Sequence, residues 1–276
     1  MEHILRGELE LSNNKIAFIG GIGRKTFNDI DAAGSIGTLA PNAYDEYDFD
    51  AKFIGRLHNN QFITIAFQKV NQQNVPLYHK VAPGSYSTYS FDPQDRLLTY
   101  TKYELHNQNR WLKKLGATFS YQNSLEIRKK QKTDESILTK EKDVAEVYGL
   151  CFEVYSTPAE FWKINSGLEY YHDLIKSETQ SVTGSEEHTS RGLYPDNSTF
   201  DNFGIYSLHS FDFEKWTIQA GARFNNYKLS VNDTTFGNVD LKPSAFAGNF
   251  GTFIQTKCFF QVDWSHKQWF QDAEYQ

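Results

Sequence analysis

The chain of 276 residues lacks any long run of consecutive apolar residues. A transmembrane helix needs about 20 predominantly apolar residues, so the sequence excludes a membrane-spanning helix. It leaves a transmembrane β-barrel open, because every second residue of a barrel strand is polar and the average stays unremarkable. The mean hydropathy of -0.59 therefore fits a soluble protein and a barrel equally well.

Cysteine is also scarce, and acidic residues outnumber basic ones. The two cysteines, Cys151 and Cys258, form no CxxC motif and no disulfide framework, and we interpret both as ordinary packing residues. The formal net charge is -6, which argues against a nucleic-acid binder, since such a protein normally has a basic face. No phosphate-binding loop and no H-E-x-x-H motif is present, so we expect no catalytic residue, no cofactor and no metal.

Aromatic residues and two-residue alternation are abundant instead. Aromatic residues make up 16% of the chain. In residues 111–128 the odd positions are mainly apolar or aromatic and the even positions mainly polar, which predicts one long strand with an apolar and a polar face. Strands of soluble proteins usually have about 5–6 residues, whereas a membrane-crossing strand has about 9–11. The length favours a wall that crosses a bilayer and projects beyond it.

The same alternation predicts ten strands in five hairpins. The predicted strands are residues 5–11, 15–25, 46–57, 61–70, 96–105, 111–128, 143–156, 161–175, 203–211 and 216–229. Short turns lie near 12–14, 58–60, 106–110, 157–160 and 212–215, and long polar loops fill 26–45, 71–95, 129–142, 176–202 and 231–241. Short turns on one rim and long loops on the other are typical of an outer-membrane barrel.

Two polar groups allow a chemical interpretation beside a structural one. Asp45, Glu46, Asp48 and Asp50 have side chains that could bind calcium, but the last three fall on the polar face of one predicted strand, and we favour that reading. His172 could serve a lipid-active enzyme together with a serine, although no local motif supports this.

Several segments resemble the barrel of TonB-dependent outer-membrane receptors. They are residues 44–65 (YDEYDFDAKFIGRLHNNQFITI), Gln68, residues 74–79 (NVPLYH), residues 92–98 (DPQDRLL), Tyr100, residues 119–128 (FSYQNSLEIR) and residues 220–224 (AGARF). The resemblance extends over about residues 1–245, and the haem, haemoglobin and colicin-receptor branch is nearest. It implies localisation in the outer membrane, a 22-stranded barrel, an N-terminal plug domain and a segment that contacts TonB.

The chain departs from that family pattern in four respects. It contains no recognisable plug sequence, and residues 1–6 show no signal peptide. Past Gly251 the resemblance fades, and the chain ends at Gln276 rather than at an aromatic residue. We therefore expect a fragment of about 10–12 strands, with a partial barrel domain at residues 1–250 and a divergent tail at residues 251–276.

The long loops are where we expect ligand contacts. Amphipathic side chains there provide contact surface, namely Tyr78, His79, Tyr86, Tyr89, Tyr194 and Phe200. The resemblance implies energised uptake of a scarce ligand such as an iron chelate or haem. The implied partners are outer-membrane lipid, the ligand, and TonB through a plug outside this chain; we expect no nucleic acid. A small complete barrel, acting as a passive pore or lipid-active enzyme, and a soluble β-rich binding module remain as alternatives.

Overall fold

The computed structural model describes the backbone of residues 2–235, 237–254 and 262–270, and the side chains of residues 2–235 and 237–254. In chain order the strands are β1 (Glu2–Ser12), β2 (Ile16–Phe27), β3 (Ile30–Ala32), β4 (Gly37–Leu39), β5 (Tyr44–His58), β6 (Gln61–Gln73), β7 (Val75–Pro76), β8 (Tyr86–His106), β9 (Lys114–Lys132), β10 (Leu138–Ala159), β11 (Trp162–Thr183), β12 (Glu186–Arg191), β13 (Ser198–Phe213), β14 (Trp216–Asp233), β15 (Gly237–Leu241), β16 (Ser244–Ile254) and β17 (Val262–Phe270). One short helix, α1 (Tyr78–Val81), precedes β8. No helix in these ranges is long and apolar enough to cross a membrane.

Each long strand pairs with the next long strand in the chain. The order is β1-β2-β5-β6-β8-β9-β10-β11-β13-β14-β16-β17, and all these pairs are antiparallel. The short strands β7, β12 and β15 extend the sheet at its margin, and β3 and β4 form a separate hairpin. Alternating sequence thus produces one antiparallel meander, and the predicted all-β class with about 10–12 main strands is confirmed.

All ten predicted strands are present, and most extend further towards the long loops. β10 and β11 reach 22 residues each. Beyond the predicted set, the sheet continues through β16 and β17. Since β16 runs across residue 250, the backbone shows no break where we placed the domain boundary. The division into residues 1–250 and a divergent tail stays a prediction, because the side chains of residues 255–276 lie outside the described part.

Several predicted boundaries were wrong, and two of these differences have a cause that the side chains show. The strand expected from Trp111 begins only at Lys114, because the Asn109 side-chain oxygen accepts the N–H of Trp111 at 2.9 Å and holds a turn. The long loop expected at residues 129–142 is a turn at residues 133–137. There the ladder continues because Arg128 and Lys130 both bind Glu141 across the strands, and these ion pairs replace the apolar contacts that alternation detects.

The connections have unequal lengths on the two rims, as expected. One rim has the turns 13–15, 59–60, 107–113, 160–161 and 214–215, and the other has the connections 28–43, 74–85, 133–137, 184–197 and 234–243. We call these the short-turn rim and the long-loop rim. The asymmetry is confirmed, with the turn at residues 133–137 as the exception.

The sheet is a single layer without an apolar core. Among the described residues, Ala66 is the sole buried apolar side chain. The accessible surface is 18609 Å², whereas a folded soluble protein of this mass exposes about 12,000 Å². Burial of apolar surface within the chain therefore cannot be what stabilises this fold in water.

Candidate ligand-binding wall of the sheet

The two faces of the sheet differ sharply in chemistry. Residues directly opposite each other in an antiparallel pair point to the same face. Leu168, Ile205 and Phe224 are opposite one another across β11, β13 and β14, and about 37%, 50% and 39% of these side chains is exposed. The next positions along β13 and β14 are Tyr206 and Arg223, which point the other way. We call these two surfaces the apolar face and the polar face.

Two aromatic belts border the apolar face. Near the short-turn rim, Trp162 packs against Trp111, Phe211 and His209, with ring centroids 6.2, 5.8 and 5.9 Å apart. Towards the long-loop rim, Tyr148 packs against Tyr121 at 5.0 Å and against His172 at 6.5 Å. We call the latter group the tyrosine belt.

The spacing of these belts matches a bilayer. Trp162 and His172 lie ten positions apart on β11, which is about 33 Å along a strand. At the usual tilt of about 40°, this corresponds to roughly 25 Å along the membrane normal, the height of the apolar band on transmembrane barrels. Hydrocarbon therefore accounts for the exposed apolar face.

The polar face has hydrogen-bonded ion pairs instead. Arg6 binds Asp48 and Asp50 at 2.8 and 2.7 Å, and Lys25 binds Glu46 at 2.6 Å. Further along the sheet, Arg223 donates to Glu169 at 2.6 Å, and Lys114 binds Glu104 at 2.5 Å. Such pairs require water or polar neighbours, so this face lines an aqueous interior.

Charge at the long-loop end of β5 shifts two pKa values. The register of the sheet carries the row of the tyrosine belt to Ala51 on β5. Glu46 and its partner Lys25 lie beyond that row, towards the long-loop rim, and thus outside the belts. Burial alone would raise the pKa of Glu46, but hydrogen bonds from Lys25 and Gln72 outweigh it and lower the pKa. The hydrogen bond to Glu46 raises the pKa of Lys25. Both groups are thus held in their charged forms.

A cavity of about 460 Å³ lies on the long-loop side of the tyrosine belt, and we call it the wall cavity. Its residues come from β6, β8, β9, β10 and β11 and from the connection before β13. They are Val70, Gln72, Gln94, Asp95, Arg96, Ser124, Leu125, Glu126, Asp143, Val144, Ala145, Ile175 and Tyr194. Because five neighbouring strands supply it, the register of the sheet fixes its shape.

Residues 192–197 fold over one end of the wall cavity, and we call them the covering segment. Ser177 is only 3% exposed; its hydroxyl donates to Asp143 at 2.5 Å and accepts the N–H of Tyr194 at 3.1 Å. Asp196 accepts the N–H of Ser177 at 3.0 Å. These bonds hold Tyr194 at the cavity, with about half of its surface exposed.

The predicted ligand-contact residues are distributed over several places. Tyr194 lines the wall cavity. Tyr78 and His79 lie in α1, and Tyr86 packs edge-on against Tyr89 at the start of β8, with ring centroids 5.0 Å apart. Phe200 stacks on Tyr227 at 5.8 Å on the polar face. The structure does not bring these six residues together, and their role in binding stays a prediction.

Sequence reasoning missed most of the wall cavity. Gln94 falls in the predicted loop 71–95, Arg96 is the first residue of the predicted strand 96–105, and Glu126 lies near the end of the predicted strand 111–128. Their spacing in the sequence could have identified them. Gln94 and Arg96 continue the polar positions of β8 beyond the apolar residues from which the start of that strand was predicted. A period of two carried past the last apolar residue would have placed them on one face.

The acidic group and the histidines have structural partners. Glu46, Asp48 and Asp50 point to the polar face and bind Lys25 or Arg6, whereas Asp45 lies on the other face and accepts from Thr26. No group of metal-binding side chains occurs in the part of the chain that the structure describes. His172 contacts Asp201 at 2.8 Å on the apolar face.

A serine–histidine contact does occur elsewhere on the apolar face. Ser207 Oγ lies 3.0 Å from His209 Nε2, and Trp162 donates its indole N–H to His209 Nδ1 at 3.1 Å. Indole is only a donor, so Nδ1 must be unprotonated and a neutral His209 has its proton on Nε2. That nitrogen therefore donates to Ser207 and cannot take its proton, which is the wrong tautomer for a nucleophile and base.

Comparison with known proteins gives a consistent result. The family model described as "TonB dependent receptor-like, beta-barrel" matches residues 26–263. No curated protein matches the sequence.

Solved structures with the same fold are transporters or receptors by their printed descriptions. The FrpB iron transporter of Neisseria meningitidis has a TM-score of 0.75 at 14% identity, covering 96% of this chain and 44% of that one. The copper transporter OprC has a TM-score of 0.74 at 10% identity, with 92% and 42% covered. The Serratia marcescens hemophore receptor HasR has 0.71 at 15% identity, with 92% and 40% covered. The chain thus spans less than half the length of these three neighbours.

Proposed function

Because the chain belongs to the β-barrel family of TonB-dependent receptors and lies in the outer membrane, we propose that it forms part of the wall of a receptor for energised uptake of a scarce ligand. The observation that supports this most directly is the single-layer sheet with its exposed apolar face between two aromatic belts. Hydrocarbon cannot satisfy backbone groups, so a hydrogen-bonded ladder of strands is one of the few structures that persist there.

In this proposal the two faces have separate tasks. The apolar face contacts lipid, and the polar face lines a lumen that a plug domain fills in the complete receptor. The wall cavity and the long-loop rim lie at the outer end of that lumen, where ligand is captured. The work of transport comes from TonB acting on the plug, so the chain is not an enzyme.

The ligand class is an iron chelate, haem or a comparable scarce compound. The structural neighbours are described as transporting copper or iron, or as binding a hemophore and heme. Each description belongs to its own protein, and together they do not favour the haem branch over the others. A metal complex too large or too dilute for passive pores is the substrate class that we propose.

The test is uptake by the host organism with and without the gene. We expect deletion to abolish accumulation of one radiolabelled iron complex, from a panel of ferric citrate, ferric catecholate and haem, in cells with intact TonB. Deletion of TonB should have the same effect as deletion of the gene. Uptake that depends on the gene but persists without TonB would indicate a passive pore, and a chain recovered from the soluble fraction would indicate a binding module.

A further inference from the structure

The wall cavity combines an apolar floor with polar groups at its edges. Ala145 and Ile175 lie opposite each other on β10 and β11, and Tyr194 adds an aromatic ring from the covering segment. Val70 lies on β6, opposite Arg96 on β8. Val70, Ala145 and Ile175 point to the polar face, where the pattern of the strands would otherwise place hydrophilic side chains. An apolar floor on a water-filled wall favours a ligand that has an apolar body.

Arg96 is the cation of this cavity. Its guanidinium donates to the neutral amide oxygen of Gln122 at 3.1 Å. Among the described residues no carboxylate lies within salt-bridge distance of it. Three other arginines of the polar face, Arg6, Arg128 and Arg223, each bind a carboxylate. Arg56, at the short-turn end of β5, instead lies over the ring of Phe62 and lines no part of this cavity. The positive charge of Arg96 thus has no compensating side chain.

The two carboxylates at the long-loop edge of the cavity have partners. Glu126 binds Arg128 at 2.9 Å, and Asp143 accepts from the Ser177 hydroxyl at 2.5 Å. Glu126 and Asp143 are directly opposite each other on β9 and β10. Their negative charges repel an anion at this edge, so a ligand with two separated anionic groups would fit poorly. A ligand with a single anionic group would bind with that group at Arg96.

We propose that the wall cavity binds an apolar or aromatic compound with one anionic group, such as a carboxylate, directed at Arg96. The guanidinium is planar and presents parallel N–H donors that match two carboxylate oxygens. The body of the ligand extends from Arg96 across Ser124 to Ala145 and Ile175 beneath Tyr194. Hydroxyl donors on its long-loop side meet Glu126 and Asp143. This proposal rests on the proposed function, because it names the chemical class that such a receptor would capture.

Binding of 2-naphthoate, an aromatic carboxylate, to outer-membrane vesicles tests the proposed ligand class. Outer-membrane vesicles are prepared from the host strain, from the deletion strain and from strains with altered genes, and equilibrium dialysis measures 2-naphthoate. The matched cation, 2-naphthylmethylammonium, has the same ring system. We expect saturable binding of the anion that is absent from deletion vesicles, and no saturable binding of the cation.

Substitutions then locate the site. We expect Arg96→Gln to weaken 2-naphthoate binding at least tenfold. Arg96→Lys should weaken it less, because lysine keeps the positive charge but lacks the two parallel N–H donors of the guanidinium. Arg56→Gln is the control, since it removes the same charge from the polar face at the short-turn end of β5 and should leave binding unchanged. Tyr194→Ala should weaken binding of both 2-naphthoate and neutral 2-naphthol.

Three results would overturn the proposal: equal binding by wild type and Arg96→Gln, equal losses in Arg56→Gln and Arg96→Gln, or tighter binding of the cation. Immunoblotting of the vesicles shows that each variant is present in equal amount, and Arg96→Lys covers the case in which Arg96→Gln fails to assemble. The uptake experiment decides the proposed function separately, because dependence on TonB does not require an anionic ligand.

Discussion

Gly192 is the residue that lets the covering segment approach the sheet. A Cβ built on Gly192 would lie 2.5 Å from the carbonyl carbon of Ser177 and 2.6 Å from the N of Glu178. Both are backbone atoms of β11, so they cannot rotate away as a flexible side chain could. The absence of a side chain at this position thus has a steric cause, and it determines where Tyr194 lies.

Gly192→Ala should therefore displace the covering segment. The overlap is of the kind that costs about 1–3 kcal/mol when a side chain is forced into a packed site. We expect faster hydrogen exchange in residues 193–197, measured by mass spectrometry on protein extracted into detergent. Gly7→Ala is the control, because no atom lies within 4 Å of a Cβ at that position. Unchanged exchange in Gly192→Ala would show that the segment is held by other contacts.

The Glu46–Lys25 pair predicts a dependence on pH. The pKa of Glu46 is lowered in the folded protein, so its contribution to stability is fully present above its ordinary value of 4.5 and is lost as the pH falls through the lower, folded value. We expect Glu46→Gln to destabilise the protein by about 1 kcal/mol at pH 7, since Lys25 is partly exposed.

The difference between wild type and Glu46→Gln should shrink below pH 4. It is measured as the temperature at which the folded, heat-modifiable band is lost on gels of detergent extracts. Glu8→Gln, with an exposed carboxylate on the edge strand, is the control and should change this temperature little. A difference that grows on acidification would contradict the assignment of charged Glu46.

At the scale of elements, the environments of its two faces determine how well a strand can be predicted from the sequence. Apolar alternation alone predicted the ten central strands, because in the membrane-facing part the apolar face must meet hydrocarbon. It failed above the tyrosine belt, where both faces meet water and alternation is replaced by ion pairs such as Arg128–Glu141. The same change of environment explains why Tyr194 was among the predicted ligand-contact residues and Arg96 was not. An aromatic residue in a long loop can be picked out from the sequence, whereas a polar residue that continues a strand resembles its polar neighbours.

A matched pair of isoleucines tests the assignment of the faces. Ile205 points to the apolar face and is 50% exposed, whereas Ile54 points to the polar face and is 38% exposed. A lysine costs about 2–4 kcal/mol at the lipid-facing midplane of a barrel. We expect Ile205→Lys to reduce sharply the protein recovered in the outer-membrane fraction, and Ile54→Lys to leave it near the wild-type amount. Equal effects of the two substitutions would contradict the assignment.

At the scale of the whole molecule, the described sheet has two open edges. β1 pairs only with β2, and β17 pairs only with β16. On the apolar side of β1, Leu5 and Leu9 are 77% and 54% exposed, so this strand too is built for lipid contact. Unpaired N–H and C=O groups are costly in hydrocarbon. Further strands must cover these edges in the membrane, as expected for a part of a larger barrel.

The 276-residue chain produced alone should therefore self-associate. Open edges are templates for pairing with another chain. Size-exclusion chromatography with light scattering in detergent should show a broad distribution of oligomers. A monodisperse, heat-modifiable monomer would argue against open edges and would favour a small closed barrel.

The most direct test of the lipid-facing wall is the accessibility of alternate residues on β13. Cys151 and Cys258 are replaced by serine, single cysteines are placed at Asn202, Phe203, Ile205 and Tyr206, and outer-membrane vesicles are treated with a membrane-impermeant maleimide. We predict labelling at Asn202 and Tyr206, which point to the polar face, and protection at Phe203 and Ile205, which point to lipid. Equal labelling at all four positions, or labelling confined to Phe203 and Ile205, would contradict the placement of this sheet in the membrane.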